Sequence, residues 1–283
     1  MKFLNLTRLN LKLNGEITEN VIFVQQWRIC SQRNARTNYQ TNRKNKMKKL
    51  KVLIACEFSG VLRNEFRKLG HDAFSCDIEP SDDNSPYHYQ CDVRNVINAY
   101  PWDLMIAHPP CTYLTLAGNR WFKPEYKEKY PTREKDRQDG IDFFMELMNA
   151  NIPHIAVENP IGIMSSTFRK PNQIVQPWQF GDPFQKSTCL WLKNLPNLQP
   201  TDIVSKGEFI EWECKKTGRI KRQPKWYADA FQKTSNPIER QKIRNKTFLG
   251  MAKAIAQQYA DYIIGQHTVP DPGHSGVHNT GQI

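Results

Sequence analysis

Two apolar runs in this sequence end on polar side chains next to proline. Residues 102–114 read WDLMIAHPPCTYL, a buried-strand pattern that stops on Pro109 and Pro110 and then presents Cys111. Consecutive prolines fix φ and remove backbone donors, so the strand ends there and the loop carrying the thiol is stiff. Residues 154–160 read HIAVENP and end in Glu158 and Asn159 before Pro160. A carboxylate at the end of an apolar strand is expected to have its charge disfavoured by burial, which raises its pKa and lets it donate a proton. Cys111 as a packing residue in an ordinary strand-ending loop is the plainer alternative.

Three further positions lie at strand ends. Gly60, in CEFSGV, opens a helix whose first N–H groups are expected to be free to meet an anion. Asp77 ends the second strand, where an acid accepts both hydroxyls of a ribose. Asp92 follows the third, placed to accept from an adenine amino group. Either acid alone is as readily a helix cap. Together with Gly60 they outline a nucleoside with an anionic appendage.

The elements that must position these residues alternate from residue 51 onward. Strands are expected at 51–55, 73–76, 89–91, 103–107, 154–157 and 188–192, with helices at 60–69, 133–150 and 246–264. Such alternation implies an α/β fold with a parallel sheet covered by helices on both faces, and ligands beyond the carboxyl ends of the strands. Residues 47–195 are read as the catalytic core, 196–244 as a short basic lobe, 245–264 as the closing helix of the core and 265–283 as a disordered tail. Residues 1–46 contain 8 Asn and no clear period. They are either a basic arm that helps hold nucleic acid or a segment ahead of an initiator at Met47, and we favour the second.

The formal charge of +12 is unevenly spread. Residues 1–49 hold +9 of it, residues 206–246 hold +7, and the rest from residue 50 onward sums to −4. The body is therefore expected to be near neutral with one basic lobe, which is either a solvated loop or a surface for phosphates. The seven cysteines include no CxxC pair, which argues against common zinc arrangements and, with the odd count, for reduced thiols. No run of about 18 apolar residues is present. The expectation is a cytoplasmic monomer that uses no metal and no membrane.

A thiol and a proton-donating acid facing a nucleoside cofactor fit one reaction well, methylation of carbon 5 of cytosine. Carbon 5 is a poor nucleophile until a thiolate adds at carbon 6, and a proton or hydrogen bond at ring N3 eases that addition. Cys111 would attack while Glu158 holds N3 and the exocyclic amine. In duplex DNA the reacting base must first be flipped out.

In these motifs the chain resembles the DNA cytosine-5 methyltransferases, in particular the compact versions of phages and prophages. The resemblance runs from about residue 51 to about 264 and is most specific at HPPCTYL and VENP. It implies a Rossmann-like methyltransferase sheet, S-adenosylmethionine as methyl donor and DNA as partner. It further implies a cofactor motif at Phe58, Ser59 and Gly60, with Asp77, Asp92 and Pro109 also on the cofactor. Cys111 is implied as nucleophile, with Glu158 and Asn159 as the pair beside it. The segment QPWQFGDPFQKSTCLWLKNLP resembles the one that places a basic side chain near the flipped base, here Lys186. Residues 244–256 resemble the closing cofactor-side motif.

Two other readings compete. An amino-group methyltransferase acting on adenine has Asp or Asn before its Pro-Pro and an aromatic after it, whereas His108 and Cys111 stand there. A non-catalytic nucleic-acid-binding relative of the fold is the third, weakened by the presence of both nucleophile and acid. His108 is read as structural rather than as a general base. Residues 120–137 are read as either a flap that closes on DNA or a solvated loop.

Overall fold

The structure, a computed structural model, describes residues 48–245 and 247–266. The expectations placed on residues 1–46 and 267–283 lie outside the described residues.

Seven strands form the main sheet: β1 Lys51–Ala55, β2 Asp72–Asp77, β3 His88–Gln90, β4 Leu104–Ala107, β5 His154–Pro160, β6 Gln173–Val175 and β7 Thr188–Lys193. Their spatial order is β3-β2-β1-β4-β5-β7-β6. β3, β2, β1, β4 and β5 pair in parallel, and β7 runs antiparallel to both β5 and β6. The helices are α1 Val61–Lys68, α2 Arg94–Ile97, α3 Arg133–Met148, α4 Met164–Thr167, α5 Lys225–Lys233, α6 Pro237–Asn245 and α7 Leu249–Gln266. A separate antiparallel ribbon is made by β8, Phe209–Glu213, and β9, Ile220–Pro224.

The strands are short apolar runs because both faces of the sheet are covered. Val52, Ile54, Leu104, Ile106, Ala156, Leu190 and Leu192 join one core cluster with Leu62 and Phe66 of α1 and the buried face of α7. The alternate residues Leu53, Met105, Ile155, Val157 and Trp191 are also fully buried. On that side the Phe144 ring of α3 meets Trp191 edge-on at 5.2 Å. This is the Rossmann-like α/β architecture, a largely parallel sheet covered by helices on both faces, that the sequence implied.

The structure differs from expectation in the later third of the chain. Residues 198–204 do not belong to a projecting lobe: Leu198 is buried in the main core, and Val204 N–H donates to Trp178 O at 2.9 Å. What projects begins near Gly207, where a Cβ would lie 2.2 Å from Pro183 O and φ is +78°, so only glycine lets the chain leave the core there. The closing helix starts at Leu249 and runs to Gln266, two residues into the segment expected to be a tail.

Gly250, near the start of α7, has the tightest packing. A Cβ there would sit 1.7 Å from Phe180 O, and its N–H donates to Asp182 Oδ2 at 2.8 Å. Gly250→Ala must lift α7 from the 180–182 loop, and overpacking of this kind costs about 1–3 kcal/mol. Urea denaturation is expected to show that loss; an unchanged midpoint would contradict the packing.

Candidate active site

The ends of β4 and β5 carry the two residues on which the sequence reading turned. Register pairs Ala107 with Val157, so His108 to Cys111 and Glu158–Asn159 leave the sheet side by side. Asn159, 2% exposed, donates from Nδ2 to Pro109 O at 3.0 Å and ties the two ends together. Beyond the prolines, Cys111 O accepts from the N–H groups of Leu114 (3.0 Å) and Thr115 (3.1 Å), closing a tight turn. Leu114 is buried beneath α3, and its carbonyl accepts from Ile163 N–H at 2.9 Å in the loop after β5. Gly162 makes that approach possible, since a Cβ there would meet Leu114 O at 2.1 Å.

Because β7 is reversed, its beginning lies at the same edge of the sheet as the end of β5. Pro160 pairs with Thr188, so the preceding loop brings Lys186 to the site. Gln176 holds that loop, accepting from Lys186 N–H at 2.9 Å and donating to Ser187 Oγ at 2.8 Å. Lys186 also lines an open cavity of about 320 Å³ with Gln185, Ser187, Gln223, Trp226 and Tyr227.

Cys111, Glu158 and Lys186 act on one another electrostatically. Burial pushes the Cys111 thiol up, and the Glu158 charge pushes it further; Lys186 and Arg244 pull it back without cancelling the rise. For Glu158, burial is the largest influence and disfavours the charge. The hydrogen bond and charge of His108, together with Lys186, outweigh it and hold the carboxyl below its ordinary value. The expectation of a raised Glu158 pKa is therefore corrected. The site rests as a protonated thiol beside an ionised carboxylate.

Two participants were missed in the sequence. His108, read as structural, places Nδ1 3.2 Å from Glu158 Oε2, and its buried Nε2 finds no partner among the described residues. Its position just before the two prolines, opposite the Glu158 strand, was the available signal. Arg244 stands in the sequence only as the first residue of the 244–256 segment, not as a neighbour of the thiol. It reaches the thiol's surroundings from the end of α6, where it donates to Tyr227 OH at 2.9 Å.

The predicted cofactor residues occupy the ends of β1, β2 and β3. Cys56 and Gly60 bracket the turn after β1 with φ of +58° and +69°. The N–H groups at the start of α1 are not free, which corrects the anion-site expectation: Glu57, 4% exposed, accepts from Leu62 N–H at 2.9 Å and Arg63 N–H at 3.3 Å, and Ser59 Oγ donates to it at 3.1 Å. An acid just before Phe58-Ser59-Gly60 was the readable sign. Beneath the turn lies the fully buried Arg63, which donates to Ser75 Oγ at 2.8 Å and pairs with Asp83. Asp77 is half-buried, and burial raises its pKa; Glu79 N–H fixes one oxygen at 3.0 Å. Asp92 is exposed and engaged with Arg94, accepting from its N–H at 2.9 Å and its guanidinium at 3.0 Å. Pro109 is buried in the join between β4 and β5.

This donor set fits the nucleoside of S-adenosylmethionine better than a phosphate-bearing dinucleotide. A carboxylate already fills the helix start where a pyrophosphate would bind, and the acidic edge suits a ligand carrying a sulfonium and an amine. Among the described residues no group of three His, Cys, Asp or Glu is placed to hold a metal ion, and no helix is long and apolar enough to cross a membrane.

No family model and no curated protein matches the chain. Its structure is similar to that of an Escherichia coli protein described as a candidate DNA modification methyltransferase encoded within a prophage. Sequence identity is 17% and the TM-score 0.37. The match spans 55% of this chain and about half, 52%, of that one.

Two measurements check this geometry. Alkylation of Cys111 by iodoacetamide, followed by mass spectrometry, is expected to be slow at neutral pH and to rise through a midpoint above the ordinary thiol value. Glu158→Gln removes a charge that raises the thiol pKa and so lowers the midpoint; Lys186→Met raises it. Gly162→Ala is expected to cost about 1–3 kcal/mol in denaturant unfolding by forcing Leu114 O away.

Proposed function

We propose that this protein is a DNA cytosine-5 methyltransferase. The observation that carries the reading is the placement of Cys111, Glu158 and Lys186 at one edge of the sheet, where Glu158 and Lys186 act on the thiol and Lys186 acts on the carboxylate. A thiol with a proton to lose, a carboxylate to receive it and a cation to favour the resulting thiolate are what addition to a pyrimidine ring requires.

In this reading Glu158 takes the proton of Cys111 as the flipped cytosine enters. The thiolate then bonds to carbon 6 of the ring. Glu158, now a carboxylic acid, donates to ring N3 and offsets the negative charge that the addition pushes there, while accepting from the exocyclic amine. Carbon 5 becomes electron-rich. Asp77 would hold the ribose of S-adenosylmethionine, whose sulfonium would supply an electrophilic methyl group for carbon 5 and depart as the neutral thioether. Loss of the carbon-5 proton to a base then expels the Cys111 thiolate and restores the ring.

Asn159 is a positioning residue, since its amide holds the Pro109 carbonyl. His108 steadies the Glu158 carboxylate before the base arrives. Lys186 and Arg244 favour the thiolate. Asp92 is assigned near the adenine amino group, where release from Arg94 would free it to accept.

Incubation with duplex DNA and labelled S-adenosylmethionine, followed by digestion to nucleosides, is expected to yield 5-methylcytosine by mass spectrometry. N6-methyladenine, or no labelled base, would contradict the proposal. Glu158→Gln is expected to reduce turnover by roughly two to four orders of magnitude, the range of proton-transfer catalysis. A smaller loss would remove Glu158 from the mechanism.

A further inference from the structure

Beneath the carboxyl ends of β1, β2 and β3 a chain of hydrogen bonds runs from a buried cation to the carboxylate of Asp77. Arg63, fully buried in α1, pairs with Asp83 and donates from Nη1 to Ser75 Oγ at 2.8 Å. Ser75, also fully buried in β2, has its Oγ 2.9 Å from Nδ1 of His88, the first residue of β3. The register of the two strands sets up this contact, because it pairs Ser75 with His88. His88 Nε2 lies 2.9 Å from Glu79 O, and the N–H of the same Glu79 donates to Asp77 Oδ1 at 3.0 Å.

The proton positions along the chain follow from the atoms at its ends. A backbone carbonyl only accepts, so His88 carries its hydrogen on Nε2 and donates to Glu79 O. In the neutral ring Nδ1 is then the acceptor, and it takes the Ser75 hydroxyl hydrogen while the Ser75 oxygen accepts from Arg63. Each contact has one donor and one acceptor. A ring turned over would put carbon at both contacts, so the orientation of the imidazole is fixed. Residues 78–80 are exposed beyond the end of β2, where core packing does not hold them. Rotation of the Glu79 backbone would withdraw its N–H from Asp77, and the bond from His88 to the Glu79 carbonyl opposes that rotation.

We propose that His88 is a positioning residue for the cofactor: through Glu79 it holds the Asp77 carboxylate in the orientation that receives the ribose hydroxyls. An acid that accepts two hydroxyls at once needs its plane fixed before the ligand arrives, and a side chain left to rotate would lose affinity in being ordered. Burial, the largest influence on Asp77, works against its charge, and the bond from Glu79 N–H offsets part of that effect. His88 acts in this way only if Asp77 holds the ribose, as the methyltransferase reading assigns.

The test is isothermal titration calorimetry of the full chain with S-adenosylmethionine. His88→Ala is expected to weaken binding about tenfold, the effect of one hydrogen bond. A glutamine places its amide nitrogen where histidine has Nε2, whereas an asparagine places its amide oxygen where histidine has Nδ1. His88→Gln, which still reaches Glu79 O, is therefore expected to bind within about threefold of the unaltered protein, and His88→Asn, which reaches only Ser75, to be as weak as His88→Ala. In the Asp77→Ala background, His88→Ala is expected to add no further loss, because the group it positions is gone. Circular dichroism of each variant establishes that the fold is intact; if His88→Ala unfolds the chain, the comparison of His88→Gln with His88→Asn still decides. Additive losses in the double variant, or equal affinities of His88→Gln and His88→Asn, would overturn the proposal. If Asp77→Ala weakens binding and the His88 variants do not, the role of His88 alone falls. Unchanged affinity in Asp77→Ala would remove the ribose assignment beneath it, and no binding by the unaltered protein would remove the methyltransferase reading as well.

Discussion

The hydrogen bond from the Asn159 amide to the Pro109 carbonyl is the constraint on which the site depends. Parallel pairing of β4 with β5 brings two strand ends together, but two prolines leave the Cys111 loop with few backbone donors of its own. A buried side-chain amide from the neighbouring strand supplies the missing tie, and Gly162 lets the loop after β5 close on Leu114. With the backbone so fixed, the Cys111 thiol lies within electrostatic reach of the Glu158 carboxylate. An anion beside a partly buried thiol raises that thiol's pKa, while Lys186 and Arg244 pull it back and the His108 hydrogen bond steadies the carboxylate. The result is a site whose thiol keeps its proton beside an ionised carboxylate.

The distribution of charge along the carboxyl edge of the sheet divides it into two halves. At β1, β2 and β3 stand Glu57, Asp77 and Asp92. The nearby cations are already committed, Arg63 to Asp83 and Arg94 to Asp92 and Glu146. At the start of β7, the end of α6 and the ribbon turn stand Lys186, Arg244 and the turn lysines Lys215 and Lys216. A cationic nucleoside cofactor on the first half and a polyanion on the second would meet over Cys111, where the halves join. The reversed strand β7 makes this possible, because its beginning delivers Lys186 to an edge that a parallel strand would reach only with its end.

Much of the frame was legible in the sequence for a simple physical reason. Strands buried on both faces must be continuous apolar runs, so KVLIA, LMIA and HIAV announce themselves, and Cys111 and Glu158 are marked by the prolines beside them. The direction of the Glu158 shift was not legible. It depends on a histidine across the sheet and on a lysine delivered by a strand reversal, and burial alone predicts the opposite. Nor was the capture of the α1 start by Glu57, a local bond that turns an apparent anion site into a closed one. The β8–β9 ribbon escaped because its alternation is confined to four residues, Ile210 to Glu213, and its partner strand IKRQP shows none. FIEWE and IKRQP read as a charged loop until their pairing sorts the acids from the aromatic.

The central claim is that the Cys111 sulfur bonds transiently to carbon 6 of a cytosine ring. It is tested most directly with a duplex containing 5-fluorocytosine at the target position, incubated with the protein and S-adenosylmethionine. Fluorine at carbon 5 cannot leave as a proton does, so the account predicts a stable protein–DNA adduct that mass spectrometry maps to Cys111. DNA methylated at cytosine without such an adduct, or an adduct at another residue, would contradict it.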